Sequence, residues 1–458
     1  MPQSPQKAYD AREMPPPSMR GSKDAASISR ILPIILLYSL IIPAGINFTF
    51  GTVLLYPFRI ILLISMPIVA MEMARTRLRP MLADYLVLIA AGWLFIATIY
   101  NLGFGNGIES ASREAIDFAM GYFVARACIR SGQDVVRLLW WFLPGFLFIA
   151  AIFAFESISH KLVLFPLFPH FTKTVDSISQ VRLGLMRARG PFPHPIHGGL
   201  FLASFLPLYF VLAGRAKKRL AGILAACTAF FSLSSAAILA LLLSIALTAY
   251  AWLASRLYGR INWFNLLIPL VTILVLLELV TESGVVKLII RYFSISPGTG
   301  YYRLLIWEYG SEAVRAKPLF GVAYGGYERV GWMRTGSVDN HWLALAIRFG
   351  IVVPVVLLGA VVMAMWNLSK ARKWCHPQDR WITHGLTITL FATSACLWTV
   401  FAWLQVQVWF MMLIGMSVSL SQTLVAQAAF ARRLSMRGTP RSGIGTVQPA
   451  DQRMRPLQ

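Results

Sequence analysis

Hydrophobic positions in this chain fall in long unbroken runs, not in the one-sided or alternating patterns of soluble helices and strands. A membrane-spanning helix needs about 20 mostly apolar residues, because lipid offers the backbone no hydrogen-bond partner. Roughly twelve runs meet that need, near 31–50, 52–70, 81–100, 113–128, 138–156, 195–213, 220–234, 236–254, 264–280, 342–366, 381–400 and 404–424. Residues 1–30 are polar and carry the triple proline Pro15–Pro17, so they read as a disordered tail. Residues 426–458 read as a second, basic tail. The pattern predicts an all-α polytopic membrane protein, with a single membrane domain over 31–425.

Two connections are too long for turns, about 157–194 and about 281–341, the latter between the ninth and tenth runs. Long connections are functional or disordered, and the Trp, Tyr, Phe, Arg and Gly in these two are not a disordered composition. Lys and Arg set the sidedness. With a cytoplasmic N-terminus, 27 of the 42 basic residues fall in cytoplasmic segments, including Arg75, Arg77 and Arg79, Arg126 and Arg130, and Lys370, Arg372 and Lys373. Both termini are then cytoplasmic and both long connections face outward. The cytoplasmic loops are short and carry no phosphate-binding glycine loop, so any chemistry is expected on the outer side.

Composition sharpens this. The chain is 57% hydrophobic and 13% charged, with a mean hydropathy of +0.63, whereas soluble domains carry about 25% charged residues. A water-soluble enzyme is excluded, because so apolar a surface would aggregate. The net charge of +23 would suit a nucleic-acid binder, but its distribution is a topology signal. The partners expected are membrane lipids, with no nucleic acid. Cys128, Cys227, Cys375 and Cys396 form no paired motif, which argues against a disulfide framework or a zinc site.

Candidate chemistry lies in the two outer segments. In the first, Arg182, Arg187 and Arg189 precede Gly-Pro-Phe-Pro-His-Pro and an apolar helix. Guanidinium forks bind phosphate oxygens in pairs and stay charged; contact with anionic lipid headgroups is the plainer alternative. His194 and His197 have metal-like spacing, but Pro195 intervenes and no acidic partner is near, so packing or hydrogen bonding at the helix entry is the better reading. No metal and no cofactor are expected.

The second segment predicts a helix from about Gly300 to Pro318, on which Arg303 and Trp307 share a face. A cation beside a large aromatic ring suits a sugar phosphate; pairing of Arg303 with Glu308 or Glu312 is the alternative. Gly321, Gly325 and Gly326 follow and permit a tight turn. Asp339, Asn340 and His341 then precede the tenth run, either as a general base near a substrate or as caps of the following helix. Arg59 and Arg348 lie inside spans and need a cavity or a counter-charge.

In order and placement these motifs resemble the O-antigen ligase and polymerase superfamily. The matching positions are Arg189 to Pro195, Arg303, Trp307, Pro318 to Gly321, Gly325 to Tyr327, and Asn340 with Leu343. The resemblance implies a glycosyltransferase-C-like membrane fold and metal-independent transfer of a glycan from undecaprenyl pyrophosphate, at the outer face of a bacterial inner membrane. Other polysaccharide-export components are possible partners in such a system. Asp339 stands where ligases of that family have His, which turns the expectation toward a polymerase of exopolysaccharide or O-antigen repeat units. O-antigen ligation to lipid A-core, or non-enzymatic transport of a lipid-linked glycan, are the alternatives. Under this reading Arg189, Arg303, Arg182 and Arg348 hold the pyrophosphate. Trp307, Asn340 and His194 contact substrate, and Asp339 or His341 orients or deprotonates the acceptor hydroxyl.

Overall fold

Apolar runs in this chain become helices, and proline, glycine and buried charge decide where each one bends or stops. The computed structural model describes residues 25–50, 53–167, 181–212, 216–256, 272, 276, 297–329, 331 and 338–437. Among them are thirteen α-helices: α1 (Ala25–Ser39), α2 (Pro57–Thr76), α3 (Leu82–Cys128), α4 (Gly132–Ser159), α5 (Pro195–Ser204), α6 (Leu206–Phe210), α7 (Ala216–Cys227), α8 (Ser235–Arg256), α9 (Pro297–Ala316), α10 (His341–Phe349), α11 (Val352–Ala371), α12 (Pro377–Cys396) and α13 (Gln405–Arg437). Six are long and apolar enough to cross a membrane: α2, the first arm of α3, α4, α8, α11 and most of α13.

Several expected boundaries move. α1 starts at Ala25, inside the expected tail, and ends at Ser39. The end of the first run and the start of the second pair as strands, β1 (Phe48–Phe50) against β2 (Val53–Leu55), so the chain is not purely helical. The run 342–366 is split at Gly350, whose φ of +85° ends α10 before α11 begins. A β-carbon there would collide with the Leu319 carbonyl. The run 195–213 becomes the short pair α5 and α6, with Pro207 at the second position of α6, where proline's missing N–H costs nothing. The run 220–234 is the short α7 followed by a 3-10 turn. α13 continues to Arg437, beyond the expected start of the basic tail. The expected span 264–280 lies outside the described residues, apart from Thr272 and Leu276.

α3 is a helical hairpin. Gly103 has φ +75° and ψ 160°, and the two arms run back along each other. Asp84 near the start therefore pairs with Arg126 near the end at 2.9 Å, and also accepts the Tyr122 hydroxyl. α13 forms the axis of the bundle: 83% of its apolar window is buried, against 33–56% for the other five long helices. Small residues permit this contact, since Gly121 of α3 and Gly415 of α13 abut the opposite helix at backbone level.

The bundle has two unlike ends. At one, Arg126 donates to the Arg79 carbonyl, Gln422 of α13 reaches the same carbonyl, and Arg137 pairs with Asp134. At the other, Ala44 bonds to Pro191, and His341 to Leu397 and Val400. α4 joins the two ends, with about 33 Å of helix between Asp134 and Glu156, close to the hydrocarbon thickness of a bilayer. The basic loops and the arginine-rich segment therefore sit at opposite ends.

Candidate functional site

The described part of the first long connection is held to the bundle by backbone bonds and one buried acid. A hairpin, β3 (Val181–Arg182) against β4 (Leu185–Met186), turns through Leu183 and Gly184 with positive φ at both. It lies on the 3-10 turn Thr228–Ser232: Ala188 donates to the Phe231 carbonyl at 2.9 Å, Arg187 Nε to Ser232 O at 3.2 Å, and Arg182 Nη1 to Leu233 O at 3.1 Å. From below, Glu156 accepts three backbone N–H groups, from Val163 at 3.1 Å, Arg189 at 3.0 Å and Gly190 at 2.9 Å. Glu156 is fully buried. It ties the end of α4 to both flanks of the segment.

His194 caps α5, its Nδ1 accepting the Ile196 N–H at 3.2 Å. This is the hydrogen-bonding role at the helix entry, and it occupies one ring nitrogen. Desolvation, then His197 and the guanidiniums of Arg187, Arg189 and Arg182, lower the His194 pKa. The residue as a whole is exposed. His197 lies behind it, bonded to Trp403 Nε1 at 3.0 Å and to the Phe401 carbonyl at 2.8 Å.

The second long connection supplies α9 and the start of α10. α9 spans Pro297–Ala316, as the sequence predicted from its helical character before Pro318. Arg303 is buried on it, and Trp307 packs 6.1 Å from Trp398. Among the described residues no carboxylate lies within ion-pair distance of Arg303, and Glu308 faces solvent, so the expected alternative of a Glu308 or Glu312 partner is not what the structure shows. Burial lowers the Arg303 pKa; Asp339 opposes that shift and Arg182 adds to it. Burial raises the Asp339 carboxyl, and Arg303 opposes. Arg182 thus acts electrostatically on both Arg303 and His194, and two like charges from the two segments stand in one another's field.

Asn340 caps α10, its Oδ1 accepting the Leu343 N–H at 3.0 Å. That is the capping role, and it uses the side-chain oxygen. His341 is fully buried between Trp342, Phe401 and Phe410, which withdraws it from contact with a substrate here and leaves Asp339 as the better placed acid. Arg348 stands in the last turn of α10, stacked on Phe401 at 4.6 Å and Tyr324 at 5.7 Å. The Pro318–Gly321 motif is an anchor: Phe320 stacks on Tyr100 and Trp93, Trp93 Nε1 donates to Leu319 O at 2.9 Å, and Val322 bonds to Ile347. Gly321 has φ +60°, and a β-carbon there would strike the Ile347 carbonyl.

Arg182, Arg187 and Arg189 thus act on His194, Arg303 acts on Asp339, Arg182 links the two groups, and Glu156 holds the backbone of Arg189 and Gly190. Arg187 and Arg189 are both lowered to about 10, each first by burial; Arg182 adds to the shift at Arg187 and Glu156 opposes it at Arg189. Both stay charged at neutral pH. Four guanidiniums against two carboxylates leave a surplus of positive charge suited to a diphosphate. Glu156 was the residue that the sequence reading missed. Its signal was present: a glutamate in the last turn of an apolar helix is almost never buried without a partner. Among the described residues no three His, Cys, Asp or Glu side chains stand together as a metal set. No protein-family model matches the chain, and no curated protein matches it in sequence.

Proposed function

We propose that this chain is a metal-independent membrane glycosyltransferase that polymerises lipid-linked oligosaccharide repeat units at the outer face of a bacterial inner membrane. The observation that carries this reading is that Arg182 and Asp339, from two segments more than a hundred residues apart, both act electrostatically on Arg303, while Arg182 also acts on Arg187. The motif resemblance to O-antigen ligases and polymerases supports it. In this reading both termini are cytoplasmic and the chain crosses the membrane roughly twelve times. The six long apolar helices are then joined by α1, the second arm of α3, α5 with α6, α7, α12 and the stretch 264–280.

The substrate is a glycan on undecaprenyl pyrophosphate. The acceptor hydroxyl oxygen bonds to the anomeric carbon, the bond from that carbon to the pyrophosphate oxygen breaks, and the electron pair leaves with the diphosphate. Arg303 and Arg189, with Arg182, neutralise that departing charge by fixed electrostatic complementarity. Asp339 takes the acceptor proton. Trp307 offers an aromatic face to the sugar. Purified protein given lipid-linked repeat units should form new glycosidic bonds and release lipid pyrophosphate. Relocation of the lipid without bond formation would instead mark a carrier, and transfer only to lipid A-core would mark a ligase.

A further inference from the structure

A second cationic site lies at the opposite end of the bundle. Arg372 opens the 3-10 turn that follows α11. Its side chain reaches alongside α12, where Nε donates to Thr383 Oγ1 at 3.3 Å and Nη2 to Thr387 Oγ1 at 3.0 Å. Both hydroxyls give their own protons to helix carbonyls, Thr383 to Arg380 O and Thr387 to Thr383 O, each at 2.7 Å. They are thereby oriented to accept from the guanidinium, yet they leave its charge intact. Among the described residues no carboxylate lies within ion-pair distance of Arg372. Asp379, the acid nearest in sequence, packs against Gly132. Arg380 adds positive charge to the same spot.

A half-buried guanidinium, pinned on two of its nitrogens by neutral acceptors, is a preformed anion site. Its surroundings say which anion. Trp366 on α11 is half exposed with Lys370 over its ring at 4.9 Å, Trp252 on α8 carries Arg256 at 4.8 Å, and Trp381 on α12 lies beside His384. Tryptophans with adjacent cations mark the headgroup level of a bilayer, and basic pockets between helices at that level take lipid phosphates.

We propose that Arg372, fixed by Thr383 and Thr387 and flanked by Arg380, binds the phosphodiester of an anionic phospholipid at the end of the bundle remote from the arginine cluster. The inference does not depend on sugar transfer.

The test is native mass spectrometry of the purified, delipidated full chain, titrated with phosphatidylglycerol, with phosphatidylcholine of the same acyl chains, and with inorganic phosphate as competitor. The wild type should prefer phosphatidylglycerol. Arg372→Gln should weaken that binding about tenfold. Arg380→Gln, at an exposed position where folding is not at stake, should weaken it about fivefold. Equal affinity for the two lipids would overturn the proposal, as would unchanged binding in Arg380→Gln when Arg372→Gln either binds normally or fails to fold. Displacement of the lipid by inorganic phosphate at matched concentration would also overturn it, by identifying free phosphate as the ligand.

Discussion

Arg303 and Asp339 show how far single residues declare themselves. Arg303 was notable in the sequence for sharing a helix face with Trp307, and Asp339 as a candidate base or cap before an apolar helix; in the structure each acts on the other electrostatically. Under the proposed mechanism, Arg303→Ala should lower turnover by about 10²–10³-fold, the usual cost of removing one fixed donor from a developing anion, with unchanged membrane insertion and melting. Asp339 acts ionised, and burial raises its pKa. Activity should therefore fall as the pH drops through a value above the ordinary carboxylate, about 3.9. Asp339→Asn should remove that acid limb along with most of the rate. A limb that persists in Asp339→Asn would assign the proton to another group. Glu156 stood out by its place in an apolar helix, but its three partners could not be read from single positions, because they lie up to 34 residues away along the chain. With only one carbonyl oxygen, Glu156→Gln leaves some of those buried N–H groups unpaired, at about 1–3 kcal/mol. It should lower the melting temperature and raise KM for the lipid-linked donor more than it lowers kcat.

At the scale of elements, apolar runs located the long helices well but not their interruptions. α2, α4, α8 and α13 fall where their hydropathy placed them. The breaks at Gly103 and Gly350 depend on positive φ and on close backbone approach, which hydropathy does not encode. The buried charge on α2 was legible as needing a partner, and its partner is on the returning arm of α3. Arg59 and Asp117 pair through several hydrogen bonds, the shortest 2.7 Å, with both side chains nearly sealed from solvent. Removing one member of such a pair costs about 3–5 kcal/mol, whereas replacing both by apolar residues is often neutral. Arg59→Met and Asp117→Leu should each melt well below the wild type in detergent, and the double variant should recover most of the loss. Additive losses would show that the pair does not hold the two helices together.

For the molecule as a whole, the sequence carried most openly the separation of the two arginine groups to different ends of the bundle. The clustered arginines at 75–79 and 126–137 converge at one end of the bundle, while Arg182 and Arg303 come within each other's field at the other. No local pattern indicated that the two segments share one cluster, since that depends on where α4, α9 and α10 bring them. A cysteine at Leu183, in the exposed hairpin turn, should label with a membrane-impermeant maleimide in intact spheroplasts. One at Arg256, at the end of α8, should label only after lysis. The reverse pattern would invert the molecule and move the cluster away from the outer face. The most direct test of the central claim is binding of undecaprenyl pyrophosphate to the purified protein. Arg189→Ala and Arg303→Ala should each weaken binding by about tenfold or more, with undecaprenol itself unaffected; wild-type affinity for the pyrophosphate in both variants would contradict the account.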